Sequence, residues 1–507
     1  MTAGKRAVLL DAADSVAVAL DALAPGDLPI LSGGGRAACP AALEAIPAGH
    51  KFALRDIEAG AEVLKYGHPI GRAGSRIAAG SWVHSHNLVT GLAGRVAYSP
   101  SPPCEWPGRA AALELLGRSG LPGTFMGYRR PEGRAGIRDE LWIVPTVGCI
   151  NRSAERFAEL ARREYGLPAL ALGHPYGCSQ LGGDLEATRR LLARLALHPN
   201  AGAALVLSLG CENNTLPDFK RELGDCDPGR IGFLTLQEEA DEEKAVRAFL
   251  DRVAPAFASR RREACPLSDL AVGVKCGGSD GFSGITANPL VGRLSELVAA
   301  AGGSVLMTEV PEMFGAETVL MARAAERGVF DATVRLVDSF KDYFASHGQP
   351  VYENPSPGNK DGGITTLEEK SLGCIRKAGA VPVADVLGYA EAARAKGLSL
   401  IWGPGNDLVS STALCAAGAQ IILFTTGRGT PFGAVAPTLK ISTNSALAAR
   451  KPAWIDFDAG RLVDGASFDS LATELLGLVL ETAGGRATRA EEGGYREIAI
   501  FKDGATL

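Results

Sequence analysis

LAVGVKCGGSDGFSGITANP, residues 270–289, is the stretch on which the fold turns. Leu270–Val274 is a short apolar run of buried-strand type, and it stops at Cys276, Gly277 and Gly278. Gly281 and Gly284 follow, with Ser279, Asp280, Ser283, Thr286 and Asn288 interleaved. A packed core has no use for that mixture. Glycine lets backbone come close to a ligand, and short polar side chains supply donors and acceptors beside it. In an α/β protein the carboxyl end of a strand is the usual place for a ligand. The stretch therefore predicts a buried strand delivering a polar bend to a site, rather than a plain turn with capping residues.

Toward the C-terminus the same texture repeats. Strands are expected at Ser304–Met307, Leu398–Ile401, Ile421–Phe424 and Trp454–Phe457, and helices at Gly292–Ala301, Ala316–Arg327 and Asp331–Ser346. Three further glycine-rich polar bends occur, at Glu353–Gly363, Gly403–Thr412 and Thr425–Gly433. Toward the N-terminus, strands at Leu141–Val144, Ala169–Leu172, Ala203–Leu209 and Ile231–Leu236 alternate with helices at Ser153–Tyr165, Asp184–Leu197 and Glu238–Val253. Alternation of this kind implies parallel βαβ units. Three of these strands run into a Gly-Cys step, at Cys149, Cys178 and Cys211. Carboxyl ends of parallel strands share one edge, so these thiols can converge, with Cys276 joining them.

Residues 1–96 read as a small β domain of short alternating runs, with turn signals such as Pro25-Gly26, Gly33-Gly34-Gly35 and Gly67. It closes on Trp82–Asn87; if that is a strand, His84 and His86 face the same way. Residues 97–124, rich in proline around a short helix at Arg109–Leu116, read as a linker. The fold expected is α/β and multidomain: the β domain 1–96, the linker, then two α/β parts with largely parallel sheets, at 125–255 and 256–507.

A chain of 507 residues is too long for one core. Lys and Arg number 52 against 57 Asp and Glu, a balance that gives no electrostatic case for nucleic acid or an anionic membrane. Asp11 and Asp14 interrupt the only N-terminal apolar run, so a signal peptide is not expected. No stretch has membrane-spanning length, which leaves a cytoplasmic enzyme as the expectation. The ten cysteines contain no CxxC and are spread too widely for a disulfide framework. There is no GxGxxG with a distant ribose acid and no Walker loop, which disfavours a nucleotide.

The polar bends suit a small, heavily oxygenated anion. Arg428 can fork onto a carboxylate, Lys360 and Lys440 can meet it as point charges, and serine, threonine and asparagine can read hydroxyls. His84 and His86 can share a metal or move protons, and Cys149, Cys178, Cys211 and Cys276 can hold iron or an iron–sulfur cluster. Free cysteine is also a common buried small hydrophobe, so both meanings stay open.

GHKFALRDI (49–57), VHSHN (83–87), LWIVPTVGC (141–149), HPYGCSQLG (174–182), LGCENN (209–214), KCGGSDGFSGITANP (275–289), YENPSPGNK (352–360), GGITTLEEKSLGC (362–374), PGND (404–407), TTGRGTPFG (425–433) and AIFKDGATL (499–507) together resemble the altronate/galactarate dehydratase family nearly end to end. The paired histidines, SQLG and ENN resemble its altronate branch. The resemblance implies an N-terminal SAF-type β domain, a second α/β domain and a large C-terminal domain. It implies a hydro-lyase that removes water from a sugar acid, giving 2-keto-3-deoxy-D-gluconate from D-altronate, and a divalent metal, commonly Fe2+, with Mn2+ or a cluster as alternatives. On that footing His84, His86, Lys360 and Arg428 are the catalytic candidates. Ser279, Asp280, Asn288, Asn359, Asn406, Asp407 and Thr430 are the substrate-binding ones. His84, His86, Cys178, Cys211 and Cys276, or Cys149, are the metal candidates. Galactarate, another sugar acid, or sulfolactate with sulfite as leaving group are the rival substrates, and a carbohydrate-binding module is the non-enzymatic rival. A symmetric homo-oligomer is expected for a chain of this type.

Overall fold

Short alternating strands close the N-terminal region into two small sheets in the computed structural model, which describes residues 4–33, 39–92, 94, 96–100, 102–351 and 354–507. One sheet runs Ile30–Ser32, Arg6–Val8, Val16–Ala19, Lys51–Ala53, Trp82–Val83; the other Glu62–Lys65, His68–Ala73, Leu88–Val89. Gly34 and Gly35 of the expected turn, and Glu353 of the expected bend, lie outside the described residues. The strand expected over Trp82–Asn87 stops at Val83. Asn87 folds the chain back there: its side chain accepts from His84 N at 2.9 Å and donates to Trp82 O at 2.9 Å. Strand alternation therefore does not apply beyond Val83, and His84 is buried while His86 is exposed.

The described residues of 97–124 are docked rather than loose. The helix Arg109–Arg118 buries Ala112 and Leu115 in the main core, and Cys104 N donates to Ala324 O at 2.9 Å. Thr124–Arg129 then pairs with Ala135–Gly136 and, antiparallel, with Glu263–Pro266, tying the two α/β parts together.

The second part is a fully parallel four-stranded sheet in the order Ala169–Ala171, Glu140–Pro145, Ala201–Ser208, Ile231–Thr235. The third is a parallel seven-stranded sheet: Val383–Leu387, Gly397–Ile401, Ser304–Met307, Ala271–Cys276, Ile421–Thr426, Thr438–Ser442, Phe457–Asp458. Central strands buried on both faces must be apolar throughout, which is why they read as unbroken runs. The helices Gly182–Ala196 and Asp407–Ala416 contribute Leu191, Leu195, Leu414 and Cys415 to one core shared by the two parts.

Two expected elements differ. The helix over Ala316–Arg327 is cut to Glu317–Met321, because Ala324 leaves it to bridge Val383 at the sheet edge. The strand over Trp454–Phe457 shrinks to Phe457–Asp458, since Trp454 N and Ile455 N both turn back to Lys451 O. Among the described residues no helix is long and apolar enough to cross a membrane.

From Ala271–Cys276 the chain winds one way to Ser304–Met307 and later starts the other half at Ile421–Thr426. The strand order reverses between these neighbours. Such a switch point opens a crevice at the carboxyl ends, where α/β sheets bind their ligands.

Candidate functional site

The bend that follows Cys276 lies at that crevice. Cys276 is buried, its sulfur 2.8 Å from Ser279 Oγ. Asn288 Nδ2 donates to Gly373 O at 2.9 Å, and its Oδ1 accepts from Thr425 Oγ1 at 2.6 Å. Asp280 is buried and accepts from Thr443 Oγ1 at 2.9 Å and Asn444 Nδ2 at 3.1 Å; burial raises its carboxyl above the usual range. Glycine is required opposite two of these groups. A Cβ on Gly427 would stand 2.2 Å from Asp280 Cγ, and one on Gly277 2.6 Å from Asp407 Oδ2.

The other bends close on the first. Asn359, in the short helix Pro357–Asp361, donates to Ser279 O at 2.9 Å. Arg428 N donates to Gly278 O at 3.1 Å and its guanidinium to Gly358 O at 3.2 Å, while the side chain stays exposed. Lys360 is half-buried. Thr430 O accepts from Lys440 Nζ at 3.2 Å; burial pushes the Lys440 ammonium down to about 8, against Asp456 and Asp407. Asn406 does a local job: its side chain caps the helix that begins at Asp407, accepting from Leu408 N and Val409 N at 3.1 Å each. Asp407 is half-buried and meets Lys275 Nζ at 2.9 Å.

Lys275 opens onto a buried charge network that sequence reading missed. It pairs with Glu309, which also meets Lys377 at 2.9 Å; Lys370 pairs with Glu312 at 2.8 Å. Cys374 lies among them, accepting from Lys377 at 2.7 Å and reaching Glu312 Oε2 at 3.3 Å. Burial pushes the Cys374 thiol well above its usual range although Lys377 opposes it, so it carries its proton. Burial works against the Glu312 carboxylate, but Lys370, Lys275 and Lys377 overcome it and hold the group well below its ordinary range. Lysine and glutamate are almost never fully buried unless paired, and here each has its partner.

The N-terminal β domain covers this edge. Lys51 and Lys65 each meet Glu369 at 2.8 Å, all three side chains being at most 2% exposed. His50 Nε2 donates to Asp361 O at 3.3 Å and its Nδ1 accepts from the Trp82 indole at 3.2 Å. His84 Nε2 donates to Lys360 O at 2.9 Å, and Nδ1 accepts from Ser85 N at 2.7 Å. Burial pushes His50 down to about 4 and lowers His84, so both rings stay neutral at pH 7. The His86 ring lies tilted against Trp82, at 5.4 Å between centroids. The two histidines of the motif are therefore placed differently: His84 clamps the 357–361 helix and His86 faces solvent.

Cys149, Cys178 and Cys211 are exposed at the carboxyl edge of the four-stranded sheet. Cys276 does not join them, being packed with Ser279 in the third part. Among the described residues, Glu309, Glu312 and Cys374 are the group of three such donors whose ligand atoms all lie within 4.8 Å of one another. The signal that could have exposed the network was faint: Lys275 inside an apolar strand, and Glu369, Lys370 and Lys377 flanking the apolar SLGCI.

Three family models divide the chain: an altronate/galactarate dehydratase SAF domain over residues 5–91, a galactarate dehydratase/altronate hydrolase second domain over 127–259, and a galactarate/altronate dehydratase C-terminal domain over 267–506. The chain is 51% identical to an altronate dehydratase of Bacillus subtilis, covering 91% of this chain and 92% of that one. It is 49% identical to an altronate dehydratase of Escherichia coli, covering 90% and 92%. Against the L-threo-forming galactarate dehydratase of Escherichia coli identity is 31%, covering 90% of each.

Proposed function

The chain belongs to the altronate/galactarate dehydratase family, and from that premise we propose that it is a hydro-lyase taking water from D-altronate to give 2-keto-3-deoxy-D-gluconate. The observation that carries the substrate is the contrast in identity: 51% and 49% with proteins named for altronate, 31% with one named for galactarate.

Dehydration needs the C2 proton removed beside a carboxylate, charge on the developing enediolate stabilised, and the C3 hydroxyl released as water. At the crevice, Arg428 and Lys360 are the accessible cations that take the carboxylate end. Asp407 is half-exposed and backed by Lys275 at 2.9 Å. It takes the C2 proton and is neutralised as it does so, while the negative charge passes to the enediolate held beside Arg428 and Lys360. Ser279, Asn288, Asn359 and Thr430 already bond to protein groups, so their part is to hold the bends in place. Asp280 does the same from beneath Gly427.

The divalent metal implied by the family has three donor sets to be weighed. Glu309, Glu312 and Cys374 do not fit it, because Lys275, Lys370 and Lys377 already occupy the same carboxylate and thiol atoms and would repel a dication. His84 has both ring nitrogens engaged. The exposed thiols of Cys149, Cys178 and Cys211 are soft donors of the kind that favour iron, although their sulfurs are not all close enough for one ion. Iron held there supplies a Lewis acid to an oxygen ligand.

Anaerobically purified protein incubated with altronate, galactarate and sulfolactate tests the reading. Formation of a 2-keto-3-deoxy acid from altronate, with slower turnover of galactarate and no sulfite, is expected. Preference for galactarate, or sulfite release, overturns the substrate.

A further inference from the structure

We propose that Cys149, Cys178 and Cys211 bind one iron–sulfur cluster through three thiolates, leaving one metal position without a protein ligand. The family reading contributes only the element; the site comes from the residues. Cysteine is among the residues most often buried. Of the ten here, these three are the exposed ones, and each follows a glycine in the loop that leaves a strand's carboxyl end. Those strands, Ala169–Ala171, Glu140–Pro145 and Ala201–Ser208, are consecutive neighbours in one parallel sheet.

The three loops are fastened to one another beside the thiols. Gly148 N donates to Tyr176 O at 2.8 Å, and Asn214 N to Gly177 O at 2.9 Å. Asn214 Nδ2 donates to Thr146 O at 3.1 Å, and Ser179 N to Asn213 Oδ1 at 2.8 Å. A Cβ on Gly177 would fall 1.9 Å from Thr146 O, and one on Gly148 2.7 Å from His174 O. The backbones thus interlock at the residue before each of two thiols. The buried Glu212 fixes the third loop, accepting from Thr146 Oγ1 at 2.5 Å, Ser208 Oγ at 2.7 Å and Gly210 N at 2.7 Å. Gln237 Nε2 donates to the Cys211 sulfur at 3.6 Å, the kind of contact that tunes a bound cluster. A cavity of about 330 Å³ opens alongside, lined by Gly210, Glu212, Thr215 and Lys220 among others.

Spacing favours a cluster over one ion. A tetrahedral ion with bonds of about 2.3 Å holds its sulfurs about 3.8 Å apart. The three sulfurs here are not all within 4.8 Å of one another, whereas a polynuclear cluster gives each thiolate its own iron. On binding, each thiol releases a proton and its sulfur forms one bond to iron; no cysteine changes oxidation state, and iron and sulfide come from outside.

The test is reconstitution of the full chain with ferrous and ferric iron in equal amounts and sulfide under nitrogen, so that no further oxidant is needed. Iron and acid-labile sulfide in equal amounts, with broad visible absorption, are expected. Cys149→Ser, Cys178→Ser and Cys211→Ser each lose that absorption, while Cys226→Ser keeps it. As a check that needs no variant, the three thiols should be alkylated in the apo protein and protected after loading. Iron without sulfide, absorption surviving the triple substitution, or equal alkylation in both forms overturns the proposal. Altronate turnover by sulfide-free protein overturns the cluster alone; a loaded protein inert to altronate overturns the substrate alone.

Discussion

At the carboxyl edge of the seven-stranded sheet, Lys275, Glu309 and Lys377 are wholly buried and paired; at that of the four-stranded sheet, Cys149, Cys178 and Cys211 stand in solvent. Both edges are where parallel strands present polar loops, yet they solve opposite problems. The first neutralises charge internally and is roofed by the β domain. The second leaves soft donors uncovered on fastened loops. Cys374 and Cys149 sharpen the contrast: burial keeps one a neutral thiol wedged against Lys377, while the other is open to whatever binds it. Topology brings a loop to the place, and burial then decides whether it acts as a charge lattice or as a ligand.

The contrast breaks most severely if Lys275 is dispensable. Lys275→Met leaves buried Glu309 with Lys377 as its one ammonium partner and removes the partner of Asp407, so a stability loss of about 3–5 kcal/mol is expected, seen as poor soluble yield or a much lower melting temperature. A melting curve like that of the unchanged protein would reduce the network to packing. Next comes Asp407→Asn, which should lower altronate turnover by about 10²–10⁴-fold with little change in melting, as loss of a general base does. Full activity would move proton abstraction away from this edge. Arg428→Lys should raise KM by about tenfold with kcat less affected, since a point charge replaces a planar fork.

Acid should separate the two edges further. The Glu369 carboxylate is pulled down to about 2 from 4.5: burial opposes ionisation, but Lys51 and Lys65 outweigh it. A group depressed in the folded state contributes stability that is complete above about 4.5 and lost as pH falls toward 2. Melting temperature should therefore drop over that window, and Glu369→Gln should flatten the drop while lowering stability at pH 7. An acid transition unchanged in the variant would assign it to other carboxylates. The smallest effect belongs to Asn406→Ala, which removes a helix cap at a cost of about 1 kcal/mol and should leave kcat/KM unaltered. A fall in kcat/KM instead would return Asn406 to the substrate.

Strand positions were legible because each buried parallel strand is an apolar run of its own, and the Gly-Cys and glycine-rich steps marked where those runs end. The antiparallel pairing of Thr124–Arg129 with Glu263–Pro266 was not, since its partners are separated by the whole second part. The placement of His84 and His86 on one face of a strand was misread because a single asparagine, Asn87, turns the chain two residues into the expected strand. Asn406 and Asn359 look like hydroxyl readers in sequence, and the fold also uses each to close a helix start. The buried network stayed hidden for a plain reason: a lysine reads as surface until its carboxylate partner, 34 residues away for Lys275 and Glu309, is seen beside it.

The trio of Lys51, Lys65 and Glu369 reaches across from the β domain to the catalytic body, and it works as a lock that recognises its own key. A roof taken from a different relative, seated one register off or lacking either amine, would leave ionised groups facing hydrocarbon, and rejection of the mismatch would outweigh any reward for the correct fit. Chimaeras built by exchanging this roof should therefore carry all three residues together, or they will assemble poorly however well their surfaces match.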